Sequence, residues 1–269
     1  PVLKPDGSTE EVGIRKLLLS AHQYTEITDS IVTREYGVYR FLFALLMDAY
    51  QPEDSEALEE LLEEGKFDAE ILEEYFKNCQ NEGVSFDLFD PIRPFMQAGP
   101  DLDMDEKICS VAKLEPVYPS GNNHVHFEHR FEDTVTFSPA EAARALCAVT
   151  AFSTSGVQGY PSTVNGAPPV YVIVCGRNLF ETLVLGMVPR VYTTVYDNPP
   201  VLWRWQGKIE PKKEVASTSL LMGLTFPCRY IRLIEKDGKE IEKMVYAQGM
   251  NFVGYGSYQD PYVAYRYSK

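Results

Sequence analysis

The chain has 269 residues, enough for one large domain or two small ones, because single hydrophobic cores stop growing at roughly 250 to 300 residues. Hydrophobic residues make up 45%, charged residues 24%, and glycine and proline 18 positions each, which excludes disordered, collagen-like and disulfide-scaffold compositions. A formal net charge of -14 argues against a protein held on nucleic acid by a uniformly basic surface.

Apolar residues recur with helical spacing from Ile14 to Tyr24 and from Tyr36 to Tyr50, where Pro52 ends the pattern. Between Glu53 and Glu74, eleven carboxylates face Lys66 alone, so -10 of the -14 sits in one stretch. Leu58, Leu61, Leu62, Ile71, Leu72 and Phe76 there read as the buried stripe of two short helices broken at Gly65, with a solvated acidic face outside. Phe86 to Gln97 is too rich in proline and aromatics for a helix and reads as a packed irregular segment.

Gly99 to Phe137 lacks periodicity, and Ser120-Gly121-Asn122-Asn123 inside it is loop chemistry. Ser138-Pro139-Ala140-Glu141 then combines an N-cap, a first-turn proline and a capping-box glutamate, opening a helix that runs to about Phe152. Ser153 to Pro168 reads as a specially shaped loop, Val170 to Val174 as a buried strand, and Asn178 with Glu181 as the cap of another helix. Val215 to Leu224 reads as helical. Arg229 to Glu235 and Glu240 to Gln248 flank Asp237-Gly238 as a hairpin, and Tyr262 to Tyr267 reads as a last strand. Helices and strands mix without βαβ alternation, so the expected class is α+β: one large globular domain with several helices and small antiparallel sheets.

Cys79, Cys109, Cys147, Cys175 and Cys228 form no C-x-x-C pair, so neither a zinc ribbon nor a disulfide framework is signalled and a reducing cytoplasm fits. No apolar run approaches the roughly 18 residues of a membrane span, and no membrane partner or signal peptide is expected. The start at Pro1 reads as a trimmed N-terminus. Three of the four histidines, His124, His126 and His129, fall within six residues and imitate a binuclear metallo-hydrolase motif. A two-metal site needs further ligands, and no histidine follows His129. The expectation is therefore no metal and no other cofactor, with a metal-dependent hydrolase on this cluster kept as the alternative. No Walker, dinucleotide or nucleophile-elbow motif is present, so no catalytic residue is assigned and the protein is not expected to be an enzyme.

Two loops retain interest. The glycine and two amides of Ser120 to Asn123 suit the edge of an unstacked base. Small residues between Ser153 and Gly166 let backbone N–H groups approach a phosphate or groove closely. On these grounds alone each also reads as a plain connecting loop.

Five motifs in order carry a resemblance: PFMQ (Pro94 to Gln97), SGNN (Ser120 to Asn123), SPAEAARAL (Ser138 to Leu146), GRNLFETLVLGMVP (Gly176 to Pro189) and DPYVAYR (Asp260 to Arg266). Together they resemble the CasA family, the large subunit of the type I-E CRISPR antiviral surveillance complex Cascade. The resemblance runs through the whole chain, 1–269, as the family's N-terminal large domain. It implies a non-catalytic subunit that reads the protospacer-adjacent motif (PAM) of invading double-stranded DNA. Such a subunit docks on the 5′ handle of the guide RNA, joins the other Cascade subunits and helps recruit the helicase-nuclease.

The resemblance also assigns residues. Ser120, Gly121, Asn122, Asn123, His124 and Phe127 match the loop contacting the RNA handle and neighbouring subunits. Gly156, Val157, Gln158 and Gly159 match the glycine loop facing the PAM, and Lys269 falls near the family's minor-groove lysine. The family's C-terminal helical bundle, which carries a glutamine wedge that opens the duplex, is expected to lie outside this chain. Against that background the charge reads differently, because from Pro200 onward eleven basic residues outnumber seven acidic ones. Any DNA contact is therefore local, with much of the affinity expected from partner subunits.

Overall fold

The computed structural model describes residues 1–99, 108–118, 135–154, 159–237 and 239–265. In chain order the strands and helices are β1 (Val2–Leu3), β2 (Thr9–Glu10), α1 (Ile14–Leu19), β3 (Glu26–Ile27), α2 (Val32–Tyr50), α3 (Ser55–Glu64), α4 (Ala69–Asn81), β4 (Ile108–Ser110), α5 (Pro139–Phe152), α6 (Leu179–Leu185), β5 (Glu214–Val215), α7 (Leu220–Leu224), β6 (Arg229–Lys236), β7 (Glu240–Gln248) and β8 (Asn251–Phe252). The class is α+β, as expected from the sequence. The strands form the sheets β2-β1-β3 and β4-β7-β6, both antiparallel, and the parallel pair β5-β8.

Helix α2 is the spine. Phe43, Ala44, Leu45, Leu46 and Met47 are fully buried, because α2 is covered by α4, α5, α6 and α7 around its circumference and so is apolar almost all round. Its contact with α5 is very close: a Cβ on Gly37 would lie 2.5 Å from the Ala148 backbone nitrogen. Helix α5 is capped as the sequence indicates, since Ser138 Oγ accepts from the Glu141 backbone N–H while the Glu141 carboxylate accepts from the Ser138 N–H. Ala142, Ala145, Leu146 and Val149 of α5 form a second core with Ile231, Leu233, Ile241 and Met244 of the β6-β7 hairpin. Thus α5 lies between the spine and the three-stranded sheet.

Other local expectations meet mixed outcomes. Gly65 adopts φ 70° as the left-handed cap of α3, and Asp54 and Asp68 cap α3 and α4. Leu72 and Phe76 are buried, but Ile71 is 40% exposed, because the two helices lie on the outside of the spine and leave their acidic faces in water. Val170 to Val174 is not a buried strand. Val170, Val172 and Val174 are exposed while Tyr171 and Ile173 pack toward the main core, because the segment makes only a single isolated bridge, Tyr171 to Val263, and nothing among the described residues covers its outer side. Helix α7 starts at Leu220, since Glu214 and Val215 are instead drawn into pairing with β8. Of the expected last strand, Tyr262 to Tyr267, the described residues 262–265 make only that Tyr171–Val263 bridge, and Arg266 and Tyr267 lie outside the described residues.

Candidate nucleic-acid interface

The site residues expected from sequence fall mostly outside the described residues: Ser120, Gly121, Asn122, Asn123, His124 and Phe127, the histidines His126 and His129, Gly156, Val157, Gln158 and Lys269. Gly159 is described. The segments from which these stretches leave and to which they return are described as well, and buried arginines hold them.

The stretch 119–134 leaves the fold after a short 3-10 turn, Val111–Leu114, and returns at Val135. At its departure Glu115, with a fully buried side chain, pairs with Arg34 of α2 and accepts a second bond from Thr33 Oγ1 at 3.3 Å. At its return Phe137 exchanges backbone hydrogen bonds with Ile241 of β7, both at 2.9 Å. The guanidinium of Arg34 stacks 4.5 Å from the Phe137 ring centroid and lies 3.6 Å from the Glu141 carboxylate. One side chain therefore reaches both ends of the stretch. Burial pushes the Glu115 carboxyl above the usual carboxylate range, and the Arg34 charge opposes that rise.

The residues flanking 155–158 are held in the same manner by Arg229, the first residue of β6. Its side chain is buried and donates from Nη2 to the Thr154 carbonyl at 2.7 Å, from Nη1 to the Pro161 carbonyl and to the carbonyl of its neighbour Cys228 at 2.9 Å, and from Nε to the Tyr246 hydroxyl at 2.8 Å. Its guanidinium lies 5.1 Å from the Tyr160 ring and 5.8 Å from the Tyr246 ring. The Tyr160 and Tyr246 rings are tilted to each other with centroids 5.5 Å apart, and Tyr160 donates its hydroxyl to the Tyr246 carbonyl at 3.1 Å. Gly159 sits at φ 72°, the left-handed region open to glycine, and a Cβ there would stand 3.3 Å from Gln248 Nε2. Burial raises the Tyr246 hydroxyl above the usual phenol range, opposed by the Arg229 charge.

Lys113 joins the two places. It precedes the 119–134 stretch, yet its ammonium lies 5.4 Å from the Tyr160 ring and 5.0 Å from the Tyr246 ring. Both stretches are thus rooted on β7, one through Ile241 and the other through Tyr246. Five residues of strand separate these roots, roughly 17 Å at the usual rise. A third arginine, Arg40 of α2, anchors the DPYVAYR motif: its Nη1 is 2.6 Å from Asp260, which also accepts from Asn165 Nδ2 at 2.8 Å. The PFMQ motif is fixed to β6, where Gln97 Oε1 accepts from the Leu233 N–H at 2.8 Å.

Sequence reasoning names the loops but misses Arg34, Arg40 and Arg229. For Arg40 and Arg229 the signal is an arginine among apolar residues; Arg34, between Thr33 and Glu35, carries none. Among the described residues, no group of three or more His, Cys, Asp and Glu side chains is placed to hold a metal ion, and no helix is long and apolar enough to cross a membrane.

A three-stranded sheet and a helical spine, with buried arginines bonded to residues flanking the two stretches, define an α+β scaffold. The model of the CRISPR-associated protein Cse1 family matches residues 1–269. The chain belongs to that family, whose members are also called CasA. It is 31% identical over 286 residues to the CRISPR-associated protein CasA/Cse1 of Thermus thermophilus, an alignment covering 99% of this chain and 53% of that protein. The crystal structure of Thermus thermophilus CasA superposes with a TM-score of 0.77 at 28% identity, over 97% of this chain and 52% of that one. A chain from the structure of a CRISPR RNA-guided surveillance complex shares the fold, with a TM-score of 0.80 at 22% identity over 100% of this chain and 58% of that chain. The chain spans about half the length of the relatives it matches.

Proposed function

We propose that this chain is the N-terminal large domain of a non-catalytic subunit of an RNA-guided DNA-surveillance complex. In this reading the 119–134 stretch docks on the guide-RNA 5′ handle and neighbouring subunits, while the 155–159 loop reads the PAM in double-stranded target DNA. Recruitment of a helicase-nuclease belongs to the same assembled subunit. The division of labour is familiar for RNA-guided effectors: protein reads a short duplex motif, and base pairing reads the sequence.

The observation that carries the reading is the common root. Residues flanking the two stretches, Phe137 for one and Tyr160 for the other, are both bonded to β7, and Lys113 packs over the Tyr160 and Tyr246 rings. A protein that must register a guide-RNA end against the adjacent DNA duplex needs two contact points at a fixed spacing, and one sheet supplies that. The excess of basic residues after Pro200 supports local contact with phosphates. Membership of the family also weighs against the metallo-hydrolase alternative on His124, His126 and His129, because the surveillance role needs no bond-making chemistry from this subunit.

The test uses the full-length subunit assembled with guide RNA and its partner subunits. Gly159→Val should weaken binding of a PAM duplex about tenfold in a gel-shift assay while leaving assembly intact, because a β-branched residue is strained at φ 72°. Asn122→Ala with Asn123→Ala should instead reduce retention of the subunit on gel filtration of the assembled complex. Equal PAM affinity for Gly159→Val and parent would refute the PAM assignment.

A further inference from the structure

We propose that the face formed by the turn 190–195 and the outer side of α3 is a docking surface for a partner protein, seated through a segment that combines lysine or arginine with apolar side chains. This contact lies beyond the RNA and DNA contacts proposed above and stands independently of them.

Three apolar side chains of one short turn face water: Val191 is 59% exposed, Tyr192 68% and Val195 43%. Apolar residues exposed singly are ordinary, whereas three within five positions make a patch of the kind that marks an interaction site. The turn is held at both ends. Arg190 and Val191 donate their backbone N–H groups to the carbonyls of Pro52 and Glu53 at 2.8 and 3.1 Å. The carbonyls of Val195 and Tyr196 accept from Leu220 and Leu221, the first residues of α7, at 2.8 and 3.0 Å. The hydroxyls of Tyr192 and Ser55 lie 3.0 Å apart, which ties the exposed ring to the first residue of α3. Beside the turn is an open cavity of about 450 Å³, walled by Glu53, Arg190, Thr193, Thr194, Asp197 and Asn198 among others. A surface fixed in this way loses little conformational freedom when it is covered.

The charge around the patch selects its occupant. Glu56, Glu59, Glu60, Glu63 and Glu64 lie on the exposed side of α3, and among the described residues none of them has an ion-pair partner. Spacings of three and four residues set these carboxylates one helical turn apart, where like charges repel and a cation brought from outside relieves the repulsion. Arg190, the one basic residue of the turn, is already engaged. Its Nη1 lies 3.2 Å from Asp197 and 2.9 Å from Gln51 Oε1, and its guanidinium stacks 4.9 Å from the Tyr196 ring centroid. Such a face repels a phosphodiester backbone, and it disfavours a second copy of a chain whose own net charge is -14. Lysine and arginine are attracted to α3, and apolar neighbours in the same segment cover Val191, Tyr192 and Val195, with the tyrosine as the anchor.

The experiment places a photo-crosslinking phenylalanine analogue at position 192 of the full-length subunit, assembled with guide RNA, partner subunits, a target duplex and the helicase-nuclease. The expected product is one partner-protein peptide in which basic residues outnumber acidic ones, identified by mass spectrometry. Crosslinks to RNA or DNA alone, to a second copy, to another part of the same chain or to a peptide without a basic excess would each overturn the proposal, as would no crosslink at all.

Two variants then test the two halves of the face separately. Tyr192→Ala should weaken binding of the crosslinked partner about tenfold, and Glu56→Gln with Glu60→Gln about threefold. Added salt should weaken the parent more than the double glutamine variant, because fewer attractive charge pairs are left to screen. All three positions are exposed, so thermal unfolding and PAM-duplex affinity should stay within about twofold of parent. Partner affinity equal to parent in both variants would refute the docking face while leaving the RNA and DNA assignments standing.

Discussion

Replacing Arg34 by methionine should destabilise the domain mainly through what it leaves behind. The Glu115 carboxylate is wholly buried and faces Arg34, with Thr33 as its further donor. Removing one partner of a buried pair costs about 3–5 kcal/mol, whereas replacing both partners by apolar residues of similar volume is often close to neutral. Arg34→Met should therefore lose about 3–5 kcal/mol, which corresponds to a fall of roughly 10 °C in Tm for a domain of this size. The double variant Arg34→Met with Glu115→Leu should regain most of that loss.

The pH dependence carries the sign. Burial already raises the Glu115 carboxyl above its ordinary value, and the Arg34 charge opposes that rise. Without Arg34 it should rise further, so the folded state takes up a proton at a pH where the unfolded chain stays ionised. The variant's deficit should be fully present well above the folded-state value and shrink as pH falls through it toward the unfolded value. Urea denaturation at several pH values between 5 and 8 measures this. A loss below about 1 kcal/mol at pH 8, or an equal loss in the single and double variants, would refute the view that Arg34 holds a buried carboxylate in place. Because the same guanidinium stacks on Phe137, faster amide exchange at residues 135–137 in the single variant is also expected.

Two further expectations concern the core. Gly37→Ala should destabilise the domain by about 1–3 kcal/mol despite alanine's better helix propensity, because its Cβ would press 2.5 Å from the Ala148 backbone and drive α2 from α5; thermal unfolding measures it, and a stabilised variant would contradict the close packing. In the native protein Cys175 should react with a thiol reagent well ahead of the buried Cys79 and Cys147, whose thiols burial pushes up to about 11 and about 12, and of the buried Cys228; counting modified cysteines by mass before and after unfolding tests the order.

What the sequence determines here is what acts over a few residues. The capping box at Ser138 and Glu141, the left-handed Gly65 between the acidic helices, the Asn178 cap and the β6-β7 hairpin all involve partners within about one helical turn or one tight turn. Their signals are therefore complete in the local string, and the structure has them where the string puts them. Ordered motifs extend this to kinship, and so to the loops worth attention. The arginine clasps are of another kind. Arg34 meets Glu115 across 81 residues, and Arg229 meets Thr154 across 75; no periodicity or spacing encodes such a meeting, and a buried guanidinium is set by which carbonyls and rings the fold delivers to it. The same reason explains the misreadings. Val170 to Val174 has strand composition, yet burial depends on what lies across from it, and only the folded chain decided that its valines face outward. Val215 to Leu224 reads as helical, but pairing with β8 took Val215 into a strand and the helix begins only at Leu220. Kinship was legible in the sequence; the frame that brings residues flanking both stretches to β7, and the charged groups that hold those residues, came only with the tertiary structure, because long-range contacts reward burial and geometry that a local pattern does not contain.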